Sequence, residues 1–284
     1  MNIQQISATT SPTDYLTVNG RTLAYRAMGK GRPIILCHRF RGVMDLWDPA
    51  FLEALVGQGF QVIVFDYSGL GLSDGTPTYN PIEMAADPRD LIAGLGLRDV
   101  VLGGWSLGGM AAQAALTLYP DRISHLALIG TTPPGDLVKL AEQLFYDLAG
   151  KDSYSIEDIT ALFFEPKSEK SRAAAVRSQA RIEARIEDLS PPVPVEFARP
   201  LLAHGPKSPA FPAEPVLQML KSTRVPILHI GGDHDIIFPV ENWYALNEVL
   251  PSVTLVTFPQ AGHGPQHQHP QLTADIIASF VRNQ

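Results

Sequence analysis

The chain predicts an α/β fold: a mostly parallel central β-sheet flanked by helices, carrying an inserted helical cap. Three observations lead there. Short apolar runs alternate with helix-forming segments over most of the chain, with Gly-rich connections between them. One strand-turn-helix unit, residues 99–118, closes its turn with Gly104-Trp105-Ser106-Leu107-Gly108. The alternation then stops at Thr131-Thr132-Pro133-Pro134-Gly135 and resumes only near Val225.

Composition sets the frame. The 284 residues are 45% hydrophobic and 18% charged, the balance of a folded globular protein able to bury a large core. A net charge of −7 argues against sequence-independent nucleic-acid binding, which needs a basic face. A single cysteine, Cys37, excludes an internal disulfide and a zinc cluster of thiolates. Met1-Asn2-Ile3-Gln4-Gln5-Ile6-Ser7 has no apolar signal core, and no stretch approaches the ~20 apolar residues of a membrane span. The expectation is a soluble cytoplasmic protein acting on a small molecule, with no nucleic-acid or membrane partner.

In order, residues 1–12 read as a polar lead-in. Residues 15–18 and 21–25 form a hairpin across Asn19-Gly20, the strongest two-residue turn signal. Ile34-Ile35-Leu36-Cys37 is a continuous apolar run suited to a buried central strand. A helix over 51–56, a strand over 62–65 and a helix over 84–97, with Pro88 near its start, follow. Residues 100–102 are the next strand, 107–118 its helix, and 126–129 another strand. Residues 133–221 contain no buried strand and read as helices near 136–149, 156–164 and 168–188 plus the proline-rich Pro191-Pro192-Val193-Pro194. A strand from Val225, a helix near 240–249, a strand over 253–258 and a helix near 271–282 complete the chain. The division is therefore a core of 1–132 and 222–284, with 133–221 inserted as a helical lid.

Gly104-Trp105-Ser106-Leu107-Gly108 fits the nucleophile-elbow pattern G-x-S-x-G, in which a serine on a strand-to-helix turn projects its Oγ out of the sheet. Gly71-Leu72-Ser73-Asp74-Gly75 matches too, but the breaker-rich run from Thr76 to Pro81 follows it instead of a helix. Ser73 is a loop residue, and Ser106 is the nucleophile candidate. A serine hydroxyl needs a base oriented by a carboxylate. His263, in Gly262-His263-Gly264 after the last strand, is the candidate base. Asp235, just beyond the preceding strand, is the candidate acid. In a parallel sheet these loops share one edge with the elbow.

In the order Ser106, Asp235, His263 the chain resembles the α/β-hydrolase superfamily, in its capped group of serine esterases, cofactor-free haloperoxidase-like enzymes, lactonases and carbon–carbon bond hydrolases. The resemblance implies an α/β-hydrolase fold and a serine hydrolase of a small, largely apolar ester, lactone or related acyl substrate, working through an acyl-enzyme without a cofactor. Carbon–carbon bond hydrolysis, perhydrolysis, lyase chemistry or a non-catalytic ligand sensor are the alternatives. In that family the acid commonly stands four residues before a proline, which Asp235 and Pro239 satisfy, so Asp235 is preferred over Asp233. The family's His-Gly after the first central strand corresponds to His38-Arg39, and the resemblance assigns the oxyanion-hole donors to the N–H groups of Phe40 and Leu107.

Arg39 departs from the family glycine. Either the loop takes ordinary dihedrals and still presents Phe40 N–H, or the chemistry differs. Ser68 stands where relatives often have arginine and is read as structural, as is His38; Cys37 is read as a buried thiol. His263, His267 and His269 are not read as a metal cluster, because the triad already uses His263. Arg177, Arg181 and Arg185 share a helix face and read as a solvated stripe balanced by Glu183 and Glu187. Leu144-Phe145-Tyr146 and Leu162-Phe163-Phe164 read first as packing, with pocket lining as the alternative.

Overall fold

The computed structural model describes residues 7–284, so half of the expected N-terminal lead-in lies outside the described residues. Eight strands form one sheet: β1 (Asp14–Val18), β2 (Arg21–Met28), β3 (Arg32–Cys37), β4 (Phe60–Phe65), β5 (Val100–Trp105), β6 (Ile123–Ile129), β7 (Ile227–Gly232) and β8 (Val253–Phe258). Their order is β1-β2-β4-β3-β5-β6-β7-β8. From β4 to β8 every pairing is parallel, while β2 runs antiparallel to both β1 and β4. Asn19 and Gly20 both take positive φ, 49° and 78°, as a two-residue turn matching the strand twist requires. In β3, Ile34 through Cys37 are fully buried, as a central parallel strand covered on both faces demands.

The core helices are α1 (Pro49–Gly57), α2 (Pro81–Met84), α3 (Ala86–Gly94) and α4 (Leu107–Leu118). The predicted helix over 84–97 is two pieces with an earlier start. Asn80 caps Ile82 N–H at 3.0 Å and Pro81 opens α2, leaving Pro88 in the first turn of α3, where its missing N–H costs nothing. The α4 helix is buried from Leu107 to Leu116. Its alanines let it lie between the sheet and its neighbours.

Between β6 and β7 lie five helices: α5 (Gln143–Ala149), α6 (Ile156–Phe163), α7 (Glu169–Ile182), α8 (Val195–Leu202) and α9 (Glu214–Ser222). The first begins later than expected, because residues 138–142 are drawn toward the core. Asn242 Oδ1 accepts from the N–H groups of Val138 and Lys139, and Ile236 O accepts from Glu142 N–H. Helices α8 and α9 were not individually legible in the proline-rich stretch. Past β7 come α10 (Glu241–Tyr244), shorter than the helix expected over 240–249, then α11 (Pro265–Gln268) and α12 (Pro270–Asn283).

The arginine stripe is a correction. Only Arg177 is exposed. Arg181 forks onto Asp48 at 2.8 and 2.5 Å, and the same carboxylate caps α1 through Ala50 N–H. Arg185 lies beyond the end of α7, buried, donating to the carbonyls of Thr9 and Ser11 and facing Asp45 at 3.4 Å. Two of the three arginines therefore tie the insert to the core. Sequence showed the local glutamates but not the carboxylates that tertiary folding brings up from residues 45 and 48.

Candidate active site

Ser106 sits between β5 and α4 with φ 61° and ψ −125°, a conformation costing about 1–3 kcal/mol for a residue with a Cβ. Its surroundings enforce it. Ser106 N–H donates to Ile129 O at 2.9 Å, and Ser106 O accepts from Gly109 N–H at 2.9 Å and from Thr131 Oγ1 at 2.7 Å. The flanking glycines leave no room for a side chain: a Cβ on Gly104 would lie 2.3 Å from Gly108 O, and one on Gly108 only 2.2 Å from Cys37 O. The tightness of the turn thus follows from backbone-to-backbone contact of β5, α4 and the loop after β3.

At the neighbouring strand ends, His263 Nδ1–H donates to Asp235 Oδ2 at 2.8 Å, with both side chains almost fully buried. Asp235 Oδ1 accepts from the backbone N–H groups of Ile237 and Phe238 at 2.8 and 2.9 Å. Burial pushes the Asp235 carboxyl up, but the His263 imidazole and those two N–H donors outweigh it and hold it below its ordinary value. It stays ionised at neutral pH. Asp233 has no such place, since it is exposed and bonds to the adjacent His234 at 2.6 Å.

His263 is framed by aromatic rings, with Phe163 stacked at 6.2 Å, Phe238 at 5.7 Å and Trp105 at 5.9 Å between centroids. Trp105 Nε1–H also donates to His263 O at 2.7 Å. Ser106 and His263 line one cavity of about 200 Å³. Among the described residues no hydrogen bond joins their side chains, a contact that commonly tightens only around substrate. Phe40 and Leu107 line the same cavity, and neither N–H has a protein acceptor among the described residues.

The insert closes the other side. Phe145 and Tyr146 from α5 and Leu162 and Phe163 from α6 line the cavity, so pocket lining holds for four of the six residues first read as packing. Leu144 is exposed and Phe164 is buried in the core cluster.

Arg39 takes no left-handed backbone; the positive φ in that loop falls at Arg41, 54°. Its guanidinium lies over the rings of Phe163 (4.6 Å) and Trp105 (5.3 Å), and its Nη1 donates to Phe40 O at 2.8 Å. Burial pulls it down to about 10, which leaves it charged at neutral pH. The reach of Arg39 and the part played by Trp105 were missed in the sequence, because the variable positions of a motif carry no pattern of their own.

The remaining candidates fall elsewhere. Ser73 Oγ donates to Asp66 O at 2.7 Å and accepts from Ala24 N–H, a structural tie. Ser68 links Arg21 and Asp87 at 2.6 Å each. His38 packs on Trp47 at 5.4 Å, and burial drives its imidazole well down, so it is neutral. Cys37 is buried and its thiol pushed up to about 12, chiefly by burial. His267 Nε2 accepts from Asp48 N–H at 3.3 Å, and burial pulls this ring down to about 4; His269 stacks on Phe258.

A family model described as alpha/beta hydrolase fold matches residues 32–270. The chain belongs to that family. It is 31% identical to an alpha/beta hydrolase fold protein from Chitinophaga pinensis, whose structure superposes with a TM-score of 0.82 over 97% of this chain and 99% of that one. A thermophilic esterase from Thermogutta terrifontis is 27% identical with a TM-score of 0.71, covering 96% and 98% of the two chains. The biotin biosynthesis bifunctional protein BioHC of Teredinibacter turnerae is 27% identical over 83% of this chain, which spans 41% of that protein's length. Among the described residues, no helix of this α/β-hydrolase is long and apolar enough to cross a membrane.

Proposed function

We propose that the protein is a serine hydrolase of a small ester, lactone or related acyl compound, with Ser106, His263 and Asp235 as its triad. The observation carrying this reading is the buried Asp235–His263 hydrogen bond at the wall of the cavity that holds Ser106 on its strained turn. Residues 133–221 act as the lid, and residues 1–132 with 222–284 supply the chemistry.

In this mechanism Ser106 Oγ attacks the carbonyl while His263 Nε2 takes its proton. Asp235 keeps the imidazole in the tautomer that accepts at Nε2 and stabilises the imidazolium that forms. The Phe40 and Leu107 N–H groups hold the oxyanion, Leu107 from the first turn of α4, where unpaired donors and the helix dipole favour negative charge. His263 returns the proton to the leaving group, and water, activated by the same histidine, releases the acid. The ordinary backbone of Arg39 supports esterase chemistry here, because the family glycine is replaced without left-handed strain.

A fluorophosphonate probe tests this. The native enzyme should carry one adduct, on the peptide containing Ser106, and lose hydrolysis of short p-nitrophenyl esters in proportion. An unlabelled protein that also ignores those esters would end the proposal.

A further inference from the structure

Arg39 is charged, lies against the catalytic cavity and has no counter-ion among the described residues. Among the described residues no Asp or Glu lies within ion-pair distance of it, and its buried Nε meets no acceptor. Of the three acids of the adjoining cleft, Asp45 faces Arg26 and Arg185, Asp152 meets Arg199 at 3.2 Å, and the exposed Glu183 accepts from Gln179 Nε2 at 2.7 Å. Among the described residues no carboxylate lines the catalytic cavity, whose only other Lys or Arg is the exposed Lys207. Elsewhere the buried Arg26 and Arg185 both face Asp45 and the half-buried Arg181 pairs with Asp48, while Arg32 and Arg41 donate to carbonyls and hydroxyls. An enclosed guanidinium without an anionic partner is costly, and the Phe40 carbonyl and the faces of Phe163 and Trp105 offset that only in part. Its planar fork matches a carboxylate.

We propose that Arg39 binds a carboxylate carried by the substrate, so that the preferred substrates are short esters or lactones with an anionic group at the end of the acyl part. The apolar wall formed by Met110, Phe145, Leu162 and Phe238 takes the chain between that group and the scissile carbonyl. The inference rests on the hydrolase reading for the word substrate, but the anion site itself does not depend on turnover.

Binding is therefore measured first, in Ser106→Ala, by calorimetry with monomethyl glutarate and methyl butyrate. The anionic ester should bind about 10- to 100-fold more tightly, the range expected for hydrogen bonds to a charged group. That advantage should vanish in Ser106→Ala with Arg39→Met and be partly kept with Arg39→Lys, which also serves if the methionine variant folds poorly by circular dichroism. Equal affinity for the two esters, or a preference that survives Arg39→Met, overturns the proposal. Turnover is compared next, as the ratio of kcat/KM for mono-p-nitrophenyl glutarate over p-nitrophenyl butyrate. In Arg39→Met this ratio should fall by about 10- to 100-fold. If both substrates instead slow together and the ratio holds, Arg39 serves the oxyanion loop and the anion site is refuted. Preferential binding of the anionic ester with no turnover of either compound would uphold the site and break the hydrolase reading.

Discussion

On the sheet side of the cavity, Ser106, Asp235 and His263 stand on loops at the C-terminal ends of β5, β7 and β8, Ser106 held by backbone hydrogen bonds, Asp235 by two backbone N–H donors, and His263 by Asp235 and the Trp105 indole. On the insert side, Phe145, Tyr146, Leu162 and Phe163 hang from two helices of seven and eight residues, tied to the core by the backbone bonds Glu142 N–H to Ile236 O and Gly264 N–H to Phe163 O and by long side chains. Arg41 donates to the carbonyls of Ala149 and Lys151, and Arg181 and Arg185 reach back to the core. Backbone contact leaves the Ser106 turn one geometry. In the proposed hydrolase the first side carries the reaction and the second selects the molecule.

Substitutions at the two sides should separate in size and in kind. Asp235→Asn should lower kcat for a p-nitrophenyl ester by about 10⁴-fold while leaving the fold intact by circular dichroism, because it removes the charge and favours the wrong imidazole tautomer. Gly108→Ala should act on stability instead. Its Cβ would meet Cys37 O and His38 O, and urea denaturation should show a loss of about 3 kcal/mol or more. Arg181→Ala should cost about 1–3 kcal/mol by the same measurement, since it strands the buried Asp48 carboxylate but leaves the core turn untouched. Arg177→Ala, a helical turn away and exposed, should stay within about 0.5 kcal/mol.

Acid exposes a further difference. His267 is pulled to about 4 and His229 to about 3, both chiefly by burial, against about 6.5 for an unfolded histidine. The folded-state values are depressed, so the unfolded chain binds these protons first. The stability each ring contributes is complete above about pH 6.5 and drains away as pH falls toward the folded value. Between pH 6.5 and 5 each should cost about 2 kcal/mol in urea titrations, and His267→Gln should flatten that slope. An unchanged slope would show that His267 takes up its proton without disturbing the core.

The legibility of the two sides follows the same physics. The elbow, the strand alternation and the loops bearing Asp235 and His263 are written in local chain chemistry: glycines where backbones touch, apolar runs where strands are buried. Asn19-Gly20 announced its turn because few other pairs accept two positive φ values. The insert was legible only as helical. Its helix ends depend on Asn242, more than a hundred residues from the Val138 and Lys139 N–H groups it accepts from. The arginine stripe misled for the same reason, since Asp48 lies far away in sequence and only folding brings it to Arg181. Arg39 was visible as a departure, yet its role depends on Phe163, a ring contributed by the insert.

In the proposed reaction Ser106 becomes acylated under the control of the Asp235–His263 pair. Rapid quenching of the reaction with p-nitrophenyl acetate, followed by peptide mass analysis, measures it directly. The native enzyme should carry an acetyl group on the Ser106 peptide, formed far more slowly in Asp235→Asn and absent in Ser106→Ala. Turnover without any acyl-serine, or acetylation at another residue with full activity in Ser106→Ala, would contradict it.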